Sequence, residues 1–278
     1  MFSSAIDVFN LRRVSEIGRQ VIRVDVDPEL EILIYDHRTG EISPFDYDPV
    51  EMVLSNERMC IGRFEDTYRP CPNRQKVGTY SQCQTCAAPT IPRLECIFEP
   101  KCEGELCGHP PFCSREHAIY LAFFDIYPKV GLSSADRVLK RVREQGADGF
   151  SIVAVVENRL KARRLEMAIS QNIEVKQAYR NDVILDLFTR DVDYQGMEAT
   201  FNRIAEEIER IFGLQPSPLQ TLEYPLEPLD QRPEMVDVPG KHVGEYIGSK
   251  GRFLLYTDGT PKAMKVKEME GRFLLDVL

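Results

Sequence analysis

The chain of 278 residues lacks the features that place a protein in a membrane, outside the cell or along nucleic acid. No apolar run approaches the ~20 residues that a membrane-spanning helix needs. The opening segment, MFSSAIDVFNLRR, has no basic leader followed by an apolar block, so the sequence predicts no secretory signal and a cytoplasmic location. An excess of positive charge is also missing, because the formal net charge is -9. That balance argues against a protein that coats nucleic acid without specificity.

Cysteine is absent from most of the chain, since all 8 cysteines lie between Cys60 and Cys113. Within this window CQTC places Cys83 and Cys86 on one tight turn, where two thiolates can bind one metal ion at about 2.3 Å each. A disulfide framework is the alternative, but it requires an oxidising compartment and usually a small secreted domain. Neither is indicated here. The seven prolines between residues 70 and 111 exclude a helical core, so metal binding is expected to supply much of the local stability.

The cysteine window therefore predicts one or two structural zinc ions, because four protein ligands leave no position open for water. The predicted ligands form two groups, Cys71, Cys83, Cys86 and Cys96 in one and Cys102, Cys107, Cys113 and His117 in the other. Interleaved ligands are an alternative grouping, and His109 is an alternative to His117. Cys60 is predicted to be a buried thiol outside both groups.

Hydrophobic patterning divides the chain into five segments and predicts an α+β fold. The segments are a β-rich start (1–59), the cysteine-rich zinc module (60–116), an α/β domain (117–213), a proline-rich acidic linker or irregular arm (214–239) and a β-hairpin segment (240–278). The last segment contains an internal echo, GRFLLYTDG and GRFLLDVL, whose copies are predicted to be strands with TDGT turning the chain between them. The two β-rich ends are expected to pack together in one sheet or barrel, which makes the middle segments an insertion.

From His117 onward the pattern alternates between strands and helices. AIYLAFF and YPKVGL are typical of strands, SSADRVLKRVREQ of a helix, GFSIVAVVE of a further strand and NRLKARRLEMAISQNI of a second helix. MEATFNRIAEEIERIFG predicts an amphipathic helix that stops at Gly213. Residues 115–166 carry 10 basic and 7 acidic side chains, which indicates either a phosphate site or a solvated helix face.

These residues carry a resemblance to a known superfamily. The pattern resembles that of the GIY-YIG nucleases. It consists of AIY, eight residues, KVG, a helix with an arginine and a later helix with a glutamate. The order of cysteine window, His117, IYLA, KVGLS and EQGA is similar, more specifically, to an uncharacterised prokaryotic family that couples a cysteine-rich zinc segment to a GIY-YIG-like core. The resemblance covers about residues 71–166, and it implies a small αβ core with the two short motifs on adjacent strands.

The resemblance also implies site residues. Tyr120 matches the tyrosine of the first motif, Gly131 the glycine of the second, and Glu166 the glutamate that binds a divalent metal ion. Arg141 best matches the helix arginine that contacts the scissile phosphate, with Arg137 as the alternative. Two positions depart from the pattern. Ala118 replaces the first glycine, and Lys129 stands where the second motif has tyrosine, so that an ammonium group could act beside a phosphate.

Three functions are compatible with these residues. The first is a Mg²⁺- or Mn²⁺-dependent endonuclease acting on DNA or RNA. The second is a zinc-containing module that binds nucleic acid without cutting it, as a component of an RNA-processing or modification system. The third is a structural partner protein. Each site residue also has a structural interpretation: Tyr120 as core, the two arginines as solvated side chains, and Glu166 as an ion-pair partner of Arg163 or Lys161.

Overall fold

The computed structural model describes residues 18–26, 29–87, 96 and 111–275. The chain divides into two compact units. Residues 1–94 and 234–278 form unit 1, and residues 95–233 form unit 2. Among the described residues no helix combines the length and the apolar character that crossing a membrane requires.

The described residues contain seventeen strands and six α-helices, numbered here along the chain. The strands are β1 (Arg19–Asp25), β2 (Glu31–Asp36), β3 (Ile42–Pro44), β4 (Val50–Leu54), β5 (Arg58–Met59), β6 (Arg63–Phe64), β7 (Tyr68–Arg69), β8 (Lys76–Val77), β9 (His117–Phe124), β10 (Tyr127–Ser134), β11 (Gly149–Val156), β12 (Gln220–Thr221), β13 (Glu234–Met235), β14 (Gly240–Lys250), β15 (Phe253–Thr257), β16 (Pro261–Lys265) and β17 (Phe273–Leu274). The helices are α1 (Gln84–Ala87), α2 (Pro111–Ser114), α3 (Val138–Gln145), α4 (Arg159–Asn172), α5 (Asn181–Leu187) and α6 (Tyr194–Phe212).

Unit 1 is built on a nine-stranded sheet in the order β13-β16-β15-β14-β4-β17-β1-β2-β3. Strands from both ends of the chain alternate in its centre: Arg19 of β1 pairs with Leu274 of β17, and Leu54 of β4 pairs with both Leu274 and Gly240. The alternating apolar residues of these strands form one core. The predicted packing of the two β-rich ends is therefore confirmed, and the sheet is mixed because β13 runs parallel to β16.

The internal echo near the end of the chain forms a different structure from the predicted hairpin. Both copies contain a strand, β15 and β17, but the two do not pair with each other. The turn at Asp258 and Gly259 instead joins β15 to β16, which pair antiparallel from Phe253–Lys265 to Thr257–Pro261. The second copy lies between β1 and β4, because register with those strands buries Phe273 and Leu274.

Unit 2 contains a four-stranded antiparallel sheet in the order β10-β9-β11-β12. All eight residues of β9 are buried, which fits its continuous apolar run and its central place. Helices α4 and α6 cover the sheet with apolar side chains that include Ile169, Ile204 and Ile208. The predicted strands β9, β10 and β11 and the predicted helices α3, α4 and α6 are confirmed, with α6 beginning at Tyr194 and ending before Gly213, which has φ of 65°.

The proline-rich segment after α6 is an irregular arm in its unit 2 part. Residues 220–221 pair with Gly149 and Phe150 of β11. The backbone N–H of Leu222 donates to the carbonyl oxygen of Asp148 at 2.8 Å, and the Tyr224 hydroxyl donates to that of Ala147 at 2.9 Å. Backbone and side-chain hydrogen bonds thus attach this arm to the sheet that it follows.

Candidate functional site

Four thiols converge in unit 1 and form a cluster of Cys60, Cys71, Cys83 and Cys86, called here the four-cysteine cluster. All four are buried, and their Sγ atoms lie within 4.8 Å of one another. The Sγ atoms of Cys71 and Cys83 are 3.9 Å apart, far beyond the ~2.05 Å of a disulfide. A tetrahedron with 2.3 Å zinc–sulfur bonds has edges of about 3.8 Å. The donor set and its spacing therefore fit a structural zinc ion.

A tight turn explains how Cys60 and Cys71 meet. Cys60 follows β5, and the short β6–β7 hairpin then returns the chain to Cys71. Gly62 has φ of 74°, and a Cβ there would lie 2.2 Å from the carbonyl oxygen of Arg69 and 2.9 Å from the nitrogen of Cys71. Only glycine adopts this conformation and admits this close approach without strain.

The other two thiols come from Cys83, which directly precedes α1, and from Cys86 within that helix. The backbone N–H groups of Cys86 and Ala87 both donate to the carbonyl oxygen of Cys83, at 3.1 and 3.0 Å, so CQTC forms the predicted tight turn. The backbone N–H of Cys83 donates to the Sγ of Cys60 at 3.2 Å. Such N–H···S bonds favour the thiolate form that binds metal.

The protonation of the thiols depends on their burial. Burial raises the pKa of Cys60 to about 11 and raises that of Cys86 further. Burial acts in the same direction on Cys71, but hydrogen bonds from the backbone of Gln75 and Asn73 and from the thiols of Cys60 and Cys86 together outweigh it and lower the pKa of this thiol. A metal ion must therefore displace protons from Cys60 and Cys86 at neutral pH, which makes its binding pH-dependent.

The structure corrects the predicted composition of the first ligand group. Cys71, Cys83 and Cys86 are brought together, but the fourth thiol is Cys60 and not Cys96. Cys96 belongs to unit 2, where its carbonyl oxygen accepts a hydrogen bond from the buried guanidinium of Arg159. The sequence feature that could have identified Cys60 as a ligand is Gly62, two residues later, because this glycine allows the turn toward Cys71.

The second predicted ligand group is only partly covered by the described residues. Cys102, Cys107 and the alternative ligand His109 lie outside them. Cys113 is half-buried, and His117 is buried with its Nδ1 2.8 Å from the carbonyl oxygen of Arg115. The Nε2 atom of His117 has no hydrogen-bond partner among the described residues. A second zinc site stays a prediction.

A second group of polar side chains converges in unit 2 and is called here the Tyr120 cluster: Tyr120, Lys129, Arg141, Gln145 and Glu166. Tyr120 comes from β9, Lys129 from β10, Arg141 and Gln145 from α3, and Glu166 from α4. The cluster therefore joins four elements that are separate in sequence. Gln145 is the member that the sequence analysis does not single out, although it follows Arg141 by one helical turn and so shares its face.

Two hydrogen bonds connect three members of the Tyr120 cluster. The Lys129 Nζ donates to Gln145 Oε1 at 2.9 Å, and Gln145 Nε2 donates to the Tyr120 hydroxyl oxygen at 2.8 Å. Gly131 lies opposite Tyr120 in the β9–β10 register. A Cβ on Gly131 would lie 2.7 Å from the Tyr120 hydroxyl oxygen, so glycine at this position lets the phenol cross β10.

Charge and burial keep the Tyr120 phenol protonated at neutral pH. Its side chain is 1% exposed, and burial raises its pKa. The Arg141 guanidinium and the Gln145 amide lower the pKa in part, whereas the Glu166 carboxylate raises it. Tyr120 is therefore a hydrogen-bond donor at neutral pH and not a base.

The charged residues in and around the cluster form ion pairs. Arg163 Nη1 is 2.7 Å from Glu166 Oε2, so the ion pair with Arg163 is present, whereas Lys161 pairs with Glu157. Arg137 and Arg141 each lie 3.5 Å from Glu144, and about half of each arginine side chain is exposed, 49% and 50%. Two guanidinium groups, of Arg137 directly before α3 and of Arg141 within it, thus share the carboxylate of Glu144.

Comparison with known proteins gives one family match. No curated protein and no solved structure matches the chain. A family model described as "Protein of unknown function (DUF2797)" matches residues 48–274, a range that includes both the four-cysteine cluster and the Tyr120 cluster. The chain therefore belongs to the DUF2797 family.

Proposed function

We propose that this protein is a divalent-metal-dependent phosphodiesterase with a GIY-YIG-like core that acts on DNA or RNA in the cytoplasm. The observation that carries the proposal is the Tyr120 cluster. Lys129 is hydrogen-bonded to Gln145 and Gln145 to the buried Tyr120 hydroxyl, on which the charges of Arg141 and Glu166 act. The pairing of β9 with β10, which puts Tyr120 opposite Gly131, supports the assignment of these strands to the two motifs of the resemblance.

Each side chain has a role that suits its chemistry. The half-exposed Arg141 binds two phosphate oxygens through its guanidinium fork. The protonated Tyr120 donates its hydroxyl hydrogen to a phosphate oxygen or to the attacking water. Glu166 offers one carboxylate, and a single carboxylate together with substrate phosphates is a common way to hold Mg²⁺. When bound, Mg²⁺ or Mn²⁺ would stabilise charge on the departing oxygen.

The four-cysteine cluster has a structural role in this proposal. Its four protein thiols complete a tetrahedron and leave no position for water or substrate. We therefore assign a zinc ion to the cluster and separate it from the reaction.

The substitution Glu166→Gln tests the enzyme. It keeps the size of the side chain and its hydrogen bond to Arg163 but removes the charge that a divalent ion needs. Metal-dependent cleavage of labelled DNA or RNA should fall about 100-fold or more, equivalent to several kcal/mol of transition-state stabilisation. Nucleic-acid binding should survive. Glu157→Gln is the matched control, because Glu157 lies just before the same helix and its side chain is 70% exposed. Equal losses in both variants, or unfolding of Glu166→Gln alone, would contradict the assignment.

A second candidate is a module that binds nucleic acid without cutting it. The observation that favours it is that Tyr120 and Glu166 are buried and already bonded to Gln145 and Arg163. Arg137 and Arg141, in contrast, are half exposed. Such a module would serve a larger RNA-processing or modification system.

Binding measured as a function of salt, together with a cleavage assay, separates these candidates. Binding should weaken steeply with salt, because each phosphate contact releases counterions. Arg137→Ala and Arg141→Ala should each reduce the slope of log K against log salt by about 0.9 for duplex DNA. Binding without cleavage in Mg²⁺ or Mn²⁺ identifies the module. Undetectable binding to DNA and RNA at low salt refutes both candidates and favours a partner protein.

A further inference from the structure

The side chain of Gln145 has its orientation determined by its neighbours. A lysine ammonium is only a donor, so the Gln145 carbonyl oxygen must face Lys129 at 2.9 Å. The amide nitrogen then faces Tyr120 at 2.8 Å. Exchanging the two amide atoms would bring N–H groups against the ammonium. Both Gln145 and Tyr120 are buried, which shields this chain of bonds from competition with solvent.

The direction of these bonds determines where the Tyr120 proton can point. The hydroxyl oxygen accepts from Gln145, so its own hydrogen must be donated on another side. Arg141, through its charge and a hydrogen bond, and Glu166, through its charge, act on this hydroxyl, and the Lys129 Nζ lies 5.7 Å from the centroid of the Tyr120 ring. Arginine has no acceptor, so the hydrogen is available to an acceptor on that side, such as an oxygen of a bound substrate.

The local fold holds the three residues at this spacing. Lys129 and Gly131 are two residues apart on β10 and so share a face of the sheet, and Gly131 leaves room for the Tyr120 hydroxyl. Gln145 is the last residue of α3, which Gly146 terminates in the left-handed conformation with φ of 79°. Its backbone position is therefore fixed by the end of the helix.

From this geometry we propose that Gln145, held by Lys129, is a positioning residue that directs the Tyr120 hydroxyl hydrogen toward the phosphate oxygen or water of the proposed reaction. Lys129 acts through Gln145 and does not itself contact the phosphate. The inference rests on the proposed function for the identity of the acceptor, but the bonded chain Lys129–Gln145–Tyr120 stands without it.

The substitution Gln145→Glu reverses the direction of the chain at constant volume. One carboxylate oxygen still accepts from Lys129, but the other cannot donate, so the Tyr120 hydroxyl must turn round and donate to it. We expect kcat to fall at least about tenfold, the value of one net hydrogen bond, with KM nearly unchanged. The urea midpoint should stay equal or rise, because Lys129 gains an ion-pair partner. Retention of wild-type kcat would show that residue 145 only fills space and would overturn the proposal.

Lys129→Met tests whether the ammonium acts through Gln145. If it does, the variant should lose about as much kcat as Gln145→Leu, and the double variant should lose no more than Gln145→Leu alone. The slope of log K against log salt should stay at the wild-type value, as it should in the control Lys161→Met, whose lysine is exposed and paired with Glu157. If the losses of kcat in the two single variants multiply in the double variant, or if Lys129→Met reduces the salt slope by about 0.9, Lys129 contacts phosphate directly and the proposal is refuted.

A measurement without substrate distinguishes failure of this inference from failure of the proposed function. The side-chain NH₂ resonances of Gln145, assigned by their loss in Gln145→Leu, should shift in both Lys129→Met and Tyr120→Phe. If neither variant shifts them, the chain of bonds is absent and the inference is wrong whatever the activity. If both shift them while the wild-type protein neither binds nor cleaves nucleic acid, the proposed function fails and the positioning role of Gln145 on Tyr120 stands.

Discussion

Replacing Cys60 by serine should remove the metal ion from the four-cysteine cluster, whereas replacing Cys96 should leave that ion in place. The two substitutions are matched in chemistry, since each exchanges one buried thiol for a hydroxyl. They differ in position: the Sγ of Cys60 lies within 4.8 Å of three other thiols, and Cys96 is not a member of that group.

The magnitude follows from the coordination that the cluster can offer. Three thiols at spacings like the 3.9 Å between Cys71 and Cys83 remain after Cys60→Ser, and a hydroxyl is a poor substitute for a thiolate on zinc. Losing even an outer partner of a ligand costs about 10- to 100-fold in metal affinity, so losing a ligand should cost more than 100-fold. Apparent binding free energies of structural zinc are about 10–16 kcal/mol, and a weaker ion should leave residues 60–87 unprotected from protease.

Three measurements test this outcome: the metal content per chain after purification, competition with a chelator, and the sulfur-to-cobalt charge-transfer band of the Co²⁺-substituted protein. Cys60→Ser should lose one equivalent of metal and the protease protection of residues 60–87, and Cys96→Ser should keep that protection. Wild-type metal affinity and protection in Cys60→Ser, together with their loss in Cys96→Ser, would refute the assignment of the cluster. Sulfur pairs at 2.05 Å among these four cysteines would refute it as well.

Two further predictions concern unit 1. Gly62→Ala should lower the stability and the metal affinity, because alanine at φ of 74° is strained by about 1–2 kcal/mol and its Cβ would overlap the Arg69 carbonyl oxygen. Gly78→Ala is the control, since a Cβ there meets nothing within 4 Å, and it should have little effect. Chelator competition and urea titrations measure both variants. Burial lowers the pKa of His242, which is hydrogen-bonded to the Tyr256 hydroxyl at 2.9 Å, below its ordinary value of 6.5. The stability that neutral His242 contributes is therefore present above pH 6.5 and lost as the pH falls, by at most about 1.4 kcal/mol per pH unit. His242→Gln should reduce this fall of the unfolding free energy at acid pH. The same fall in both proteins would contradict the prediction.

Elements whose pattern is local were predictable from the sequence. The apolar run of β9, the periodicity of α6 and its stop at Gly213 each follow from residues within the element, and each is confirmed. The two copies of the GRFLL echo have the same local propensity, which correctly predicts two strands. The strands with which the two copies pair depend on long-range register, however, and the repeated GRFLL sequence does not specify those partners.

The candidate sites show the same division between local and long-range information. The CQTC turn is a local signal, and Cys83 and Cys86 accordingly meet as predicted. The choice of Cys60 over Cys96 depends on the Gly62 turn and on which unit each cysteine joins. Gln145 has no motif of its own, and its part in the Tyr120 cluster becomes visible only when β10 and the end of α3 lie side by side.

The interleaved order of the nine-stranded sheet affects how the protein is made on the ribosome. β4 has β14 and β17 as its neighbours, and β1 has β17 on its inner side, so these strands wait for partners that are translated last. Residues 95–233 intervene, and at about 5–20 residues per second their synthesis takes roughly 7–28 s. During that interval the edges of β1 and β4 are open to pairing with other chains. Unit 2, being continuous, can fold within the same interval, and a chain that stops before Phe273 leaves unit 1 with its central strands unjoined.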